Sequence, residues 1–392
     1  MRDPVIFMVL LLITAGSTLR SSATQTWTEA MQYFSANYFE ARQKFLDAAR
    51  AAGADVEHFR NPHTGQQGEA LFNDVALLGP GNANTILVLS SATHGVEGFT
   101  GSAIQTGLLR EGFGELPPDT GLLFIHGINP YGFAHLRRVN EDNVDLNRNF
   151  RDYTKPYPAN PGYDALADAI SPASFSMWSN ARSTMRLFWY GLTNGRDALK
   201  QAVSAGQYNH QQGLFYGGKK ETWSNKTIRA IAAKYLGSAK HAVIIDFHTG
   251  LGPYGNAEVI MNEPEQSPAY RRAVTWWGDR VRNSVSGNSV SIHLGATLKL
   301  GFSTMLPDAE ITAVSLEFGT VEPKQVFLAL RAENWLHHYG SPDHPRAKEI
   351  KRDLLRAFYP DQDDWRMQVW EHGRTVVRQV LQQLLKAEGL NP

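Results

Sequence analysis

The stretch TILVLSSATHGVEG, residues 85–98, decides the fold. Its first eight residues, TILVLSSA (85–92), form an apolar run too short for a buried helix, and Gly95 and Gly98 follow it closely. Such a run reads as a strand covered on both faces. Similar runs recur as LLFIHGIN (122–129), AVIIDF (242–247), AEVIMN (257–262) and AVSLEF (313–318). Helical patterns separate them: residues 100–110, NKTIRAIAAKYL (225–236) and SPAYRRAVTWWGDRV (267–281). This alternation predicts an α/β fold with a mixed, mostly parallel central sheet and helices on both faces. Residues 163–205 read as a helical insertion, and 344–388 as one or two long charged amphipathic helices added to a single catalytic domain over 31–392.

The 392-residue chain balances 38 basic against 38 acidic side chains and has no run of five or six Lys and Arg, which argues against a nucleic-acid partner. It contains no cysteine, so any metal must be held by His, Asp and Glu. Residues 5–16, VIFMVLLLITAG, are shorter than the ~20 apolar residues that span a bilayer, and no stable membrane span is expected. Their length suits the apolar core of a secretory signal within residues 1–23, with Ser21-Ser22-Ala23 as small residues for cleavage, which predicts export. The alternative is translation from Met31, giving a cytoplasmic protein whose first helix opens there, with Met31, Phe34, Tyr38 and Phe45 as its apolar positions.

His94-Gly95-Val96-Glu97 follows the carboxyl end of the first strand, where catalytic groups collect in open α/β sheets. His-x-x-Glu can offer an imidazole and a carboxylate to one ion from a tight turn, although Glu97 could equally serve a helix N-terminus. His248 ends another buried strand, in IDFHTGLG, 154 residues later. Two His and one Glu with an open fourth position form a catalytic zinc set, predicting one Zn2+ per chain. The segment NPYGFAHLRRVNEDNVDLNRNF (129–150) gathers Arg137, Arg138, Asn140, Asp145, Asn147 and Arg148. Guanidinium groups beside amides can receive a carboxylate or clamp a developing oxyanion. Glu317 interrupts the apolar strand AVSLEF, and a carboxylate buried there is costly unless it has a partner or a task. Beside zinc, that task is moving protons.

This ordered set resembles the zinc carboxypeptidase superfamily, which includes carboxypeptidase A and the succinylglutamate desuccinylase and aspartoacylase relatives. His-x-x-Glu, Asn-Pro-x-Gly, Arg-x-Asn, Asp-Leu-Asn-Arg-Asn-Phe, a strand-end His and a late strand Glu together cover roughly residues 70–320. The resemblance implies His94, Glu97 and His248 as zinc ligands and Glu317 as the catalytic acid/base. It further implies Arg138 as oxyanion stabiliser, Asn147 and Arg148 as anchors of a substrate carboxylate, and Asp145 as the acid that orients His94. The stretch QYNHQQGLFYGGKKETWSN (207–225) resembles a bacterial branch of the superfamily. His248 is followed by Thr249-Gly250 rather than by Ser, which is closer to the deacylase relatives.

The expected activity is therefore zinc-dependent hydrolysis of an amide bond next to a free carboxylate, metallocarboxypeptidase-like, on a small peptide. One alternative is an N-acyl amino-acid deacylase; another is a non-catalytic zinc-containing binding module, which would have no use for Glu317 as a base. His126, His135, His210 and His293 fit no ligand spacing and are read as structural. Tyr208 and Tyr216 border a Gly-rich loop, either as cleft lining or as ordinary packing.

Overall fold

The structure, a computed structural model, describes residues 29–387 and Gly389. The signal-sequence reading of residues 1–23 lies outside them. The first long helix, α1, spans Tyr38–Ala51 and opens behind Asn37, whose side chain accepts from the Glu40 N–H. An Asn at this position satisfies an otherwise orphaned backbone donor, which is why the helix starts here and not at Met31.

Eight strands follow: β1 (Asp55–Thr64), β2 (Ala70–Leu78), β3 (Thr85–Ser90), β4 (Thr120–His126), β5 (His241–Tyr254), β6 (Ala257–Met261), β7 (Val281–Asn283) and β8 (Glu310–Gly319). They form one mixed, mostly parallel sheet in the order β1-β2-β4-β3-β5-β8-β6-β7. The central block β4-β3-β5-β8 is parallel throughout. The remaining helices are α2 (Gly98–Glu111), α3 (Pro130–Ala134), α4 (Pro161–Ile170), α5 (Met177–Asn194), α6 (Arg196–Ser204), α7 (Trp223–Leu236), α8 (Pro268–Trp277), α9 (Leu298–Met305), α10 (Pro323–His338), α11 (Ala347–Phe358) and α12 (Asp363–Ala387). Among the described residues, no helix is long and apolar enough to cross a membrane.

The unbroken apolar runs have a simple cause: helices cover both faces of the central strands. Leu87 and Leu89 of β3 pack with α1, α2 and α12, whereas Ile86 and Val88 pack with α7 and α9. Because side chains alternate along a strand, both parities must be apolar. A third apolar cluster joins α4, α6, α10 and α11 through Tyr163, Leu166, Ala202, Leu330 and Phe358. It stands beside the carboxyl ends of β3 and β5. Chain order reverses at β3, which is flanked by β4 on one side and β5 on the other. That reversal opens a crevice beyond the strand ends, the usual ligand position in such sheets.

Candidate metal centre

Three sequence-distant side chains meet in this crevice. His94 lies just beyond β3, and Glu97 closes a single helical turn, Gly95–Glu97, that leads into α2. Gly95 is required because a Cβ there would run into the backbone of Gly132 and Phe133. The turn is pinned to the following segment, its Gly95 and Val96 N–H groups donating to Arg138 O (3.0 Å) and Arg137 O (2.9 Å). His248 arrives on β5. One donor atom each from His94, Glu97 and His248 lies within 4.8 Å of the others, and all three residues are buried.

The two rings face Glu97 through the same atom. His94 Nδ1 is 2.9 Å from Glu97 Oε1, and His248 Nδ1 is 2.9 Å from Oε2. Each Nε2 turns to a carboxylate: His94 to Asp145 Oδ1 at 3.2 Å, and His248 to Asp246 Oδ2 at 2.6 Å. The His248 ring, its Nε2 proton donated to Asp246, directs its Nδ1 lone pair toward the common point, whereas His94 Nε2 also faces the Arg138 Nη2–H at 2.9 Å. Two imidazole nitrogens and a carboxylate oxygen suit zinc, and the chain has no thiolate that would favour a softer ion. Burial opposes ionisation of Glu97, but the His94 and His248 rings and the Arg138 guanidinium hold its carboxyl well below the ordinary carboxylate range.

Asp246 is a buried carboxylate at this centre that the sequence reading left unassigned. It stands two residues before His248, so strand periodicity puts both on one face while Phe247 points into the opposite core layer. Asp246 Oδ1 accepts from Ser90 Oγ (2.8 Å) and Thr93 Oγ1 (2.9 Å), which fixes the carboxylate while its other oxygen holds the ring. The available signal was an acidic residue inside the apolar run AVIIDF.

Glu317 stands directly across the parallel β5/β8 ladder from His248, which brings the two side chains to the same face. It is 8% exposed, and its Oε1 accepts from the Leu251 N–H at 3.0 Å. Burial, followed by the neighbouring Glu97 carboxylate, pushes its pKa up to about 8. Arg138 reaches the same cluster, donating from Nη1 to Glu97 Oε1 (2.8 Å) and from Nε to Asp145 Oδ2 (3.2 Å). Asp145 therefore braces a ring and a guanidinium together. Its carboxyl is held well below its ordinary value, with burial opposing and Arg138 and His94 prevailing.

Arg148 and Asn147 line the same cleft. The Arg148 guanidinium is anchored by backbone carbonyls: Nη2 donates to Ser204 O (2.5 Å), Nε to Ala205 O (3.2 Å) and Nη1 to Asn147 O (3.0 Å). Ser204 and Ala205 end α6, where unsatisfied carbonyls favour a cation. Asn147 Oδ1 accepts from the Leu298 N–H at 2.9 Å, tying the cleft to the start of α9.

Other residues of the 129–150 segment have structural tasks. Arg137 is buried away from the cleft, on Glu333 (2.8 Å) and Asn143 (2.9 Å), and Asn140 shapes a turn by accepting from Val144 N (2.8 Å). His126, His135 and His210 bond to Ser102, Thr64 and Asp164 respectively. Tyr208 packs inside and donates to Arg148 O (2.7 Å), whereas Phe215, between the two tyrosines, lines the cleft. The cavity measures about 150 Å3.

No curated protein matches the chain. Solved structures similar to it include the carboxypeptidase A of Helicoverpa armigera, at 12% identity over 83% of this chain and 75% of the other, with a TM-score of 0.45. The succinylglutamate desuccinylase of Chromobacterium violaceum is 15% identical over 81% of this chain and 74% of its own, with a TM-score of 0.34. An aspartoacylase family protein of Mesorhizobium loti is 14% identical over 73% and 67%, with a TM-score of 0.35. A family model described as "Protein of unknown function (DUF2817)" matches residues 34–372, most of the chain, and the protein belongs to that family.

Proposed function

We propose that the protein is a zinc-dependent hydrolase that cleaves an amide bond next to a free carboxylate, in the manner of a metallocarboxypeptidase. The observation that carries this reading is Glu317, a buried carboxylate placed across one ladder pair from His248 in the cleft that holds the triad. A site built only to bind zinc needs no such group, and burying it without a task would be costly. His94 Nδ1, Glu97 and His248 Nδ1 would hold the ion. When bound there, zinc supplies Lewis acidity and lowers the pKa of water to about 7.

The protein's own residues do the rest. Glu317 takes the proton from the attacking water as its oxygen bonds to the amide carbon, then delivers that proton to the nitrogen as the carbon–nitrogen bond breaks. Arg138 places positive charge beside the carbonyl oxygen as it becomes negative. Asp246 keeps the His248 ring in the required tautomer, and Asp145 with Arg138 holds the His94 ring in place. Asn147 and Arg148 receive the substrate's free carboxylate, with Arg148 pre-oriented by the end of α6.

A second reading, an N-acyl amino-acid deacylase, is favoured by the cleft's walls. Ser204 of α6 with Val290, Ile292 and Leu294 line a cavity of about 150 Å3, a size that suits a small substrate. The deciding experiment measures hydrolysis of short peptides and N-acyl amino acids by zinc-loaded protein, each in free-acid and amidated form. Turnover of the acid forms alone is expected; equal cleavage of both forms would reject the carboxylate requirement.

A further inference from the structure

Half of the twelve large apolar side chains exposed among the described residues belong to one helix. Met177, Trp178, Met185, Phe188, Trp189 and Leu192 of α5 are 58–79% exposed. At 3.6 residues per turn these positions fall on one stripe about 120° wide. The opposite face already holds the helix: Ser183 is buried, and Leu187 and Tyr190 pack on the cluster that joins α4, α6, α10 and α11. Arg186 Nη2 donates to Ala165 O of α4 (2.8 Å), and Asn180 Oδ1 accepts from Arg331 of α10 (3.4 Å). The stripe is therefore no part of what fixes α5 to the molecule.

Aromatic side chains carry about 150–250 Å2 each, and the six together expose on the order of 800 Å2, more than the roughly 300–600 Å2 of the largest apolar patch on an ordinary monomer. That area would also suffice for one side of a stable dimer, about 800 Å2 per partner, so charge decides between the two occupants. α5 contains Arg182 and Arg186 and no Asp or Glu, and from Met177 to Lys200 the chain sets Arg182, Arg186, Arg196 and Lys200 against Asp197 alone. The acids of neighbouring α4 are engaged elsewhere: Asp164 holds His210 at 2.9 Å, and Asp168 lines a hollow with His337 and His338. Arg182 lies two turns before Trp189, at the edge of the stripe, where its stem can follow apolar surface while its charged head reaches past it. A second copy docked stripe to stripe would bring guanidinium toward guanidinium, with no carboxylate of α5 to receive either. Lipid phosphates receive both, and Trp178 and Trp189 are of the residue type that concentrates at a membrane–water boundary.

We propose that α5 docks the protein on an anionic lipid bilayer, lying in the interface with its Met177–Leu192 stripe among the acyl chains and Arg182 and Arg186 among the lipid phosphates. Such a helix combines two attractions, burial of apolar surface and charge, and it binds without spanning. Docking has a consequence for the cleft. α6 packs against α5 through Leu199, Leu187 and Tyr190, and its Lys200 and Ser204 line the cleft, so docking through α5 holds the cleft close to the lipid surface. Binding of this kind needs neither zinc nor turnover.

The test floats the full chain on vesicles of phosphatidylcholine alone, or of phosphatidylcholine and phosphatidylglycerol in equal parts. The protein should bind the anionic vesicles, leave them as salt rises, and bind the neutral ones weakly. Trp178→Ser combined with Trp189→Ser should cut the affinity by at least about 10-fold, and Arg182→Gln by about 5-fold, with Arg182→Lys near wild type. These three side chains are exposed, so thermal unfolding of the variants should match the wild type. If the tryptophan pair unfolds early, Arg182→Gln and the comparison of the two lipids decide. No binding to either vesicle, equal binding to both, or binding that survives loss of both tryptophans, as insertion of residues 5–16 would give, would each overturn the proposal. So would a dimer in light scattering that the tryptophan pair converts to monomer, without vesicle binding, which would assign the stripe to a second copy.

Discussion

At the residue scale, the centre is a set of carboxylate–imidazole pairs arranged around one carboxylate. Asp246 contacts His248 at 2.6 Å and is itself fixed by Ser90 and Thr93, so Asp246→Asn should weaken zinc binding by about 10-fold to 100-fold without removing a ligand. Asp145→Asn should do the same through His94. Competition with a chromogenic chelator measures both, and unchanged affinity in either variant would dismiss its role in orienting the ring. Glu317→Gln should keep zinc and lose kcat by about 10² or more, the scale of a positioned proton carrier. Near wild-type turnover would move that role to another group. Glu317 was legible because a charge interrupts an apolar run; Asp246 was equally visible as a charge, but its partner could be named only once β5 was seen to carry both groups on one face.

At the element scale, the 129–150 segment is held onto α10 by a buried charge cluster. Arg137 and Lys351 both reach Glu333 Oε1 at 2.8 Å. Burial raises the Glu333 pKa, but the two cations prevail and bring it down to about 2. The folded carboxyl thus binds its proton less tightly than the unfolded one, whose pKa is about 4.3. The stabilisation is fully present above about pH 4.3 and is lost as pH falls toward 2. Glu333→Gln should therefore be clearly less stable than wild type in urea unfolding at pH 7, with the gap roughly halved near pH 3 and closing toward pH 2. A gap independent of pH would show that the loss comes from packing. The helices themselves were readable from periodicity and caps, including the 163–205 insertion as α4, α5 and α6. What periodicity could not supply was the role of α6, whose last carbonyls orient Arg148 in the cleft.

At the scale of the whole molecule, the triad joins the end of β3, the entry to α2 and the middle of β5, which runs on to Tyr254 instead of ending at His248 as the sequence suggested, so metal occupancy would be coupled to the central sheet. An ion that binds the folded chain adds stability by mass action, on the order of 4 kcal/mol when it is free at about 1,000 times its Kd. Chelation should lower the melting temperature of the wild type and leave that of His248→Ala nearly unchanged; an identical fall in both would place the ion elsewhere. The sequence by itself determined the parallel core strands, because covering both faces leaves an unbroken apolar signature. It also singled out His94, Glu97, His248 and Glu317 as candidates, because polar groups in or just after such strands stand out against that background. Only the tertiary structure decided which polar groups face one another: Asp246 behind His248, Arg137 on Glu333 away from the cleft, and Lys299 on Asn262 inside it. Asp246 and His248 are two residues apart, but the other pairings join residues tens to hundreds of positions apart, and strand order, register and helix docking, rather than local pattern, bring them within hydrogen-bonding distance.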